Sequence, residues 1–174
     1  MAKTKIAFSL SESDIERAIE SLRTYSSDVK EKTARLRSRI AEEIAATAEN
    51  GFGSAVVDDL LTGGARSASV DVRIDDRDNL TVVIASGEDA IWVEFGAGVY
   101  FNGSPGTSPH PRGQELGMTI GSYGKGRGKR RVWGYYDEGG VLMLTHGTPA
   151  SMPMYNAAKI VCERIGEIAR EVFA

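Results

Sequence analysis

The chain predicts an α+β fold: a small antiparallel sheet of two hairpins, packed by a long helix in the N-terminal half and by a C-terminal helix, with a long Gly-rich loop between the hairpins. Three observations predict it. Residues 66–86 alternate apolar and polar side chains with a period of two on either side of a turn. Residues 27–50 and 153–173 instead repeat apolar side chains every three or four positions. Residues 97–130 show neither period and are crowded with Gly, Ser and Pro. With 174 residues and 41% hydrophobic content, the chain has material for one domain with one core. Within that domain, 1–26 is predicted as an N-terminal helical arm and 27–96 as helix, hairpin and short helix. Residues 97–130 are the extended loop, and 131–174 hairpin and closing helix.

The arm begins with its signals in place. Ser11 is placed to cap, Asp14 takes the reciprocal capping-box position, and Leu10 staples onto Ile15. Ile15, Ile19 and Leu22 form a narrow apolar stripe. Ser27 then reads as the cap of a second, longer helix with Val29, Leu36, Ile40, Ile44 and Ala48 on one side and Gly51 as its stop.

The stretch 66–75 alternates strictly, with Ala68, Val70, Val72 and Ile74 on one face. After the turn at "DRDN", Leu80, Val82 and Ile84 resume the buried face, which makes the pair an antiparallel hairpin. Ser86 is expected to cap a short helix whose first turn holds Glu88 and Asp89, and whose packed face is Ile91, Trp92 and Phe95. Beyond the loop, "RRVWGYY", the turn "DEGG" and "VLMLTH" give a second hairpin with Trp133 and Tyr135 on one face.

The last helix is expected from Ser151 to Phe173, with Pro153 in its first turn. Met154, Ala158, Val161, Ile165, Ile168 and Val172 recur on one stripe. Burying the five larger ones contributes roughly 7–15 kcal/mol gross, as an upper bound. With Trp92, Trp133 and Tyr135, these five are the predicted structural core.

Charge is zoned. Residues 1–50, 51–98, 99–131 and 132–174 carry net charges of 0, −6, +5 and −2, within a total of −3. Opposite zones either spread over one surface or face each other between copies. The single cysteine, Cys162, excludes an intramolecular disulfide and reads as a buried, inert thiol on the last helix. The N-terminus carries no apolar run of signal-peptide length and no segment approaches a membrane span, so the chain is expected to be made in the cytoplasm and to stay off the membrane.

The segment "GSYGKGRGKRRVWGYY" from Gly121 invites a phosphate-binding reading. A Walker A loop fails at two positions: Tyr123 stands where its first Gly belongs, and Arg130 where Ser or Thr is needed. "GKGRG" is also not G-x-G-x-x-G and lacks a strand-to-helix setting. Nucleic-acid contact survives better, because Lys125, Arg127, Lys129, Arg130 and Arg131 place five cations within seven residues. A metal or hydrolytic site would have to recruit His110, His146 and a carboxylate such as Glu94, none of which stand at ligand spacing. No catalytic residue, cofactor or metal is therefore expected.

Three stretches together resemble a known family. "IWVEFGAGVY" (91–100), "YGKGRGKRRVWGYY" (123–136) and "THGTPASMPMYNAA" (145–158) are similar to the phage tail-component family of lambdoid type, the tail-completion or head-to-tail joining proteins. The resemblance spans roughly residues 25–174 in order of elements. Glu94, Phe95 and Gly96 match its signature; Trp133 and Tyr135 its aromatic strand; Thr145, Gly147, Pro153 and Ala158 the opening of its last helix. Ala97 departs from the Thr often found there, and Met154 and Tyr155 from Phe-Leu. The resemblance implies a structural protein of the virion without catalysis, forming a ring at the neck, expected as a hexamer. Its expected partners are neighbouring connector and tail-tube proteins, with transient contact to phage DNA. The residues expected at those contacts are Glu94, Phe95, Tyr100, Arg112, Tyr123 and the five cations Lys125, Arg127, Lys129, Arg130 and Arg131. Whether Glu94 is a surface carboxylate or a fixed contact at the loop's root stays open at the level of sequence.

Overall fold

A computed structural model describes residues 11–59, 64–97, 108–113, 115–116, 132–137 and 139–174. Helix α1 (Glu12–Gly53) is followed by β1 (Val56–Asp59), β2 (Gly64–Ser67), β3 (Asp71–Arg77) and β4 (Leu80–Ser86). The short α2 (Ala90–Phe95), β5 (Trp133–Tyr136), β6 (Leu142–Thr145) and α3 (Pro153–Phe173) complete the chain. The α+β class, the two predicted hairpins and the two packing helices are all present. The strands pair as three separate antiparallel ladders, β1 with β2, β3 with β4 and β5 with β6.

The arm and the second helix are one helix of 42 residues. Ser11 caps it as expected, its Oγ accepting from the Asp14 amide at 3.3 Å, and Asp14 pairs with Arg17. The predicted break at Ser26–Ser27 does not occur. Serine is only mildly unfavourable inside a helix, and propagation through two such residues costs less than nucleating a new helix. The helix also continues past Gly51 to Gly53. Gly51 serves close packing rather than termination. A Cβ there would lie 2.9 Å from the Pro153 Cβ, so its bare backbone lets the start of α3 come close.

The strand predicted over 66–75 is two strands. Alternation continues through Ala68–Val70, but β2 pairs with β1, a ladder that the Ala68 amide extends by donating to the Ala55 carbonyl (3.2 Å), whereas β3 pairs with β4. β3 and β4 pair from Asp71↔Ser86 to Arg77↔Leu80, which leaves a two-residue turn at Asp78–Asn79. Arg37 of α1 grips that turn, donating to the Asp78 carbonyl (2.7 Å) and to Thr81 Oγ1 (3.2 Å). The alternation marked the packed face correctly at Val70 and Val72 but not in β4: the register sets Val72 opposite Ala85 and Ile74 opposite Val83, so Ala85 borders the core while Leu80, Val82 and Ile84 share the face of Arg77, Asp75 and Arg73. Ile74 and Leu80, at the hairpin's far end, are exposed.

The core lies where the C-terminal end of α1, β1, α2 and the start of α3 converge, around Ala48, Phe52, Ala55, Val57, Val93 and Ala157. Val70, Val72, Ala85 and Met154 border it. Ala48 and Ala157 are small enough for α1 and α3 to pack closely along an antiparallel seam. Arg164 reaches Glu43 (3.2 Å) and Arg39 reaches Glu171 (3.8 Å) across it.

Several predicted core positions stand corrected. Val161 and Ile168 are buried, but Ile165 is 45% exposed, and Trp92, Met154 and Val172 are half-buried. Cys162 is exposed, not buried. The cause is geometric: beyond its first turns, where α2 also meets it, α3 packs against α1 alone, so only the centre of its stripe is covered. The side chains of Trp133 and Tyr135, like the loop over 98–107 and 117–131, lie outside the described residues.

Candidate functional site

The strongest constellation gathers around the six-residue α2. The predicted cap at Ser86 is replaced by Asp89 at the N-cap position, and the predicted packed face by Val93 and Glu94, which are both buried. Ile91 is exposed. Gly87, at φ +131, makes the shift: it turns the chain over the Ser69 carbonyl, where a Cβ would collide with the oxygen.

Asp89 does not cap its own helix with its side chain. Its carboxylate takes a two-pronged ion pair from Arg66 of β2 (Nη1–Oδ2 2.5 Å, Nη2–Oδ1 2.9 Å) and the Ser69 amide (2.7 Å). A buried carboxylate met by a planar guanidinium and a backbone donor is a charge-assisted arrangement with its geometry fixed. It ties α2 to the β2–β3 connection.

Glu94 ties the other end of α2 to α3. The N-cap position of α3 is Met152, which has no side-chain acceptor and adopts left-handed φ 54°, ψ 48°. A non-glycine residue in this region costs about 1–3 kcal/mol and persists only where its surroundings enforce it. Here the enforcement is visible. The Ser151 amide donates to the Val93 carbonyl (2.9 Å), and Ala97 and Thr148 exchange two backbone bonds (2.8 and 2.9 Å). Gly96, at φ +81, allows this approach, since its Cβ would meet the Ala150 nitrogen at 3.1 Å. The Glu94 carboxylate then replaces the missing cap: Oε2 accepts from the Met154 amide (2.8 Å) and Oε1 from the Tyr155 amide (3.0 Å). Negative charge at the positive end of a 21-residue helix adds to those bonds.

His110 closes the joint. Its Nδ1 accepts from the Arg112 amide at 3.0 Å, which places the ring proton on Nε2, 3.2 Å from Glu94 Oε1. The ring lies between Phe95 (centroids 4.3 Å) and Tyr155 (5.3 Å, edge-on). Ser108 donates to the Phe95 carbonyl and accepts from the His110 amide (3.2 Å). The residues on either side of 98–107 are thus fastened to α2.

The choice left open for Glu94 is resolved: it is a buried, fixed contact. Phe95 is half-buried against His110. Arg112 is exposed and grips Glu115 with two bonds (3.2 and 3.1 Å), which hold the Glu115 carboxyl below and the Arg112 guanidinium above their ordinary ranges. Tyr100, Tyr123, Lys125, Arg127, Lys129, Arg130 and Arg131 lie outside the described residues, and with them the nucleic-acid reading of the basic loop. Sequence reasoning missed His110, Asp89 and Arg66 as partners. His110 and Glu94 are sixteen positions apart on different segments, a separation for which no periodicity gives a signal.

Both Glu94 oxygens and both His110 ring nitrogens are engaged, and both side chains are buried. Among the described residues no group of three or more His, Cys, Asp and Glu is placed to hold a metal ion, and no helix is long and apolar enough to cross a membrane. Comparison with protein-family models, with curated proteins and with solved structures finds no match to this chain.

Proposed function

We propose that this chain is a structural component of a tailed-phage virion. It completes the tail or joins head to tail at the neck, as a ring of identical subunits and without catalysis. The observation that carries the reading is the meeting of two separated parts of the family-like pattern. Glu94, from the Val-Glu-Phe-Gly stretch, caps the helix opened by the Pro153 stretch, sixty residues later. A pattern whose distant members meet in one non-reactive joint is what a scaffold requires, and chance similarity of short motifs gives no reason for it. The zoned charge, −6 over 51–98 against +5 over 99–131, suits head-to-tail contact between neighbours, which needs two different, complementary patches. In this reading the segment 97–131 is an arm that grips the adjacent subunit, the connector above or the tail tube below.

The test is disruption of the gene in its viral genome, with micrographs of the resulting particles. Unjoined heads and tails that become infectious on adding the purified chain are expected. Undiminished infectious yield without the gene overturns the proposal, and undiminished yield after deleting only 121–130 overturns the role of the arm.

A further inference from the structure

The first half of α1 carries a surface that the neck reading does not use. α1 and α3 run antiparallel, with Gly51 beside Pro153 and Arg39 beside Glu171 near the end of α3 at Phe173. The α1 residues from Glu12 to Asp28 precede this overlap and extend it by roughly 25 Å, at about 1.5 Å per residue. Along them Ile15, Ala18, Leu22, Tyr25 and Val29 follow strictly alternating steps of three and four. That spacing makes a narrow seam shaped for another helix, not the broad stripe that docks on a sheet. Leu22 is 56% and Tyr25 52% exposed, and Ile15 and Ile19 are exposed as well, whereas the small Ala18 between them is buried and Val29 is half-buried.

An isolated helix of this length, with Ser21, Thr24, Ser26 and Ser27 in its interior, is marginal in water, so its continuity calls for a packing partner. The charges beside the seam say which. Asp14 and Asp28, each one position before a seam residue, are paired within the helix to Arg17 and Lys32. The flanks therefore present little net charge to a like surface. In a parallel pair the flanking contacts are Asp14 with Ile19 and Ser21 with Ser26 of the other copy, so no like charges face each other. An antiparallel pair would set Asp14 against Asp28. The seam ends where Lys32 takes the next position in the pattern.

We propose that residues 15–29 of α1 form a parallel two-helix coiled coil with the same residues of a second copy of this chain. The pairing does not depend on a viral role. In such a coil Leu22 faces Leu22 of the partner, whereas Glu20 points away.

The full-length chain with Cys162→Ser, which removes the exposed thiol, is the background for the test. Adding Leu22→Cys should give a disulfide-linked dimer on mild oxidation, and adding Glu20→Cys should not. Separately, Leu22→Glu should abolish the higher-mass species in sedimentation while leaving the thermal melt of the core in place, since Leu22 lies outside it. Equal cross-linking at both positions, or an oligomer mass unchanged by Leu22→Glu, overturns the proposal. So does a monomeric wild-type chain that associates only when residues 1–10 are deleted, because those residues then occupy the seam. A Leu22→Glu chain that keeps its mass and still joins heads to tails sinks this pairing and leaves the neck reading standing.

Discussion

Glu94 Oε1 sits 3.0 Å from the amide of Tyr155, sixty-one residues further along the chain. A helix usually draws its cap from the residue just before it; α3 draws its own from another helix. The start of α3 is therefore stable only while α2 is in place.

Replacing Glu94 with Ala should strip two amides and the His110 Nε2–H of their acceptor, at about 2–4 kcal/mol. A thermal melt should fall by about 2–4 °C per kcal/mol. Glu94→Gln retains one carbonyl oxygen and should lose less. An Ala variant that melts with the wild type would remove the capping role.

Two positions on α3 discriminate a covered stripe from an uncovered one. Ile168, 1% exposed, should lose more than about 3 kcal/mol on substitution by Asp, whereas Ile165, 45% exposed, should lose less than about 1 kcal/mol. Denaturant midpoints of the two variants measure the contrast, and equal losses would contradict the α1–α3 packing.

Helical glycines should respond with opposite signs. Gly166→Ala meets only the Arg170 Nη2 at 3.9 Å and should stabilise by about 0.5–1 kcal/mol through helix propensity. Gly51→Ala drives its methyl against Pro153 Cβ at 2.9 Å and should destabilise despite the same propensity gain. Urea titrations of both variants are sufficient.

The half-buried Asp75 carboxyl lies below its ordinary range chiefly because Arg77 hydrogen-bonds to it; burial opposes this, and the charges of Arg77 and Arg73 add to it. A carboxyl whose folded value is depressed contributes stability above its unfolded value and loses it as pH falls through the folded one. Carbon-detected titration of Arg77→Gln should show Asp75 moving up toward an ordinary aspartate.

Much of the scaffold was readable because it follows local periodicity. The Ser11 cap, the β3–β4 hairpin and the α3 stripe each depend on neighbours within a few positions. Features set by what packs alongside were not readable. Ile165 fits its stripe as well as Ile168 does, and only the width of the partner helix separates them. Ser27 has the chemistry of a cap, yet α1 runs through it. Glu94 and His110 meet across segments with no shared period, so their pairing existed only once the fold brought them together.

Phe95 and Ala97 are held where residues 98–107 begin, by Ser108 and Thr148 respectively, and Ser108 stands where they end. Ser108 thus rests on α2, and Ala97 on Thr148, just before α3. Variants with insertions between Ala97 and Ser108 should keep both of these anchoring bonds, since neither is made by the residues between them.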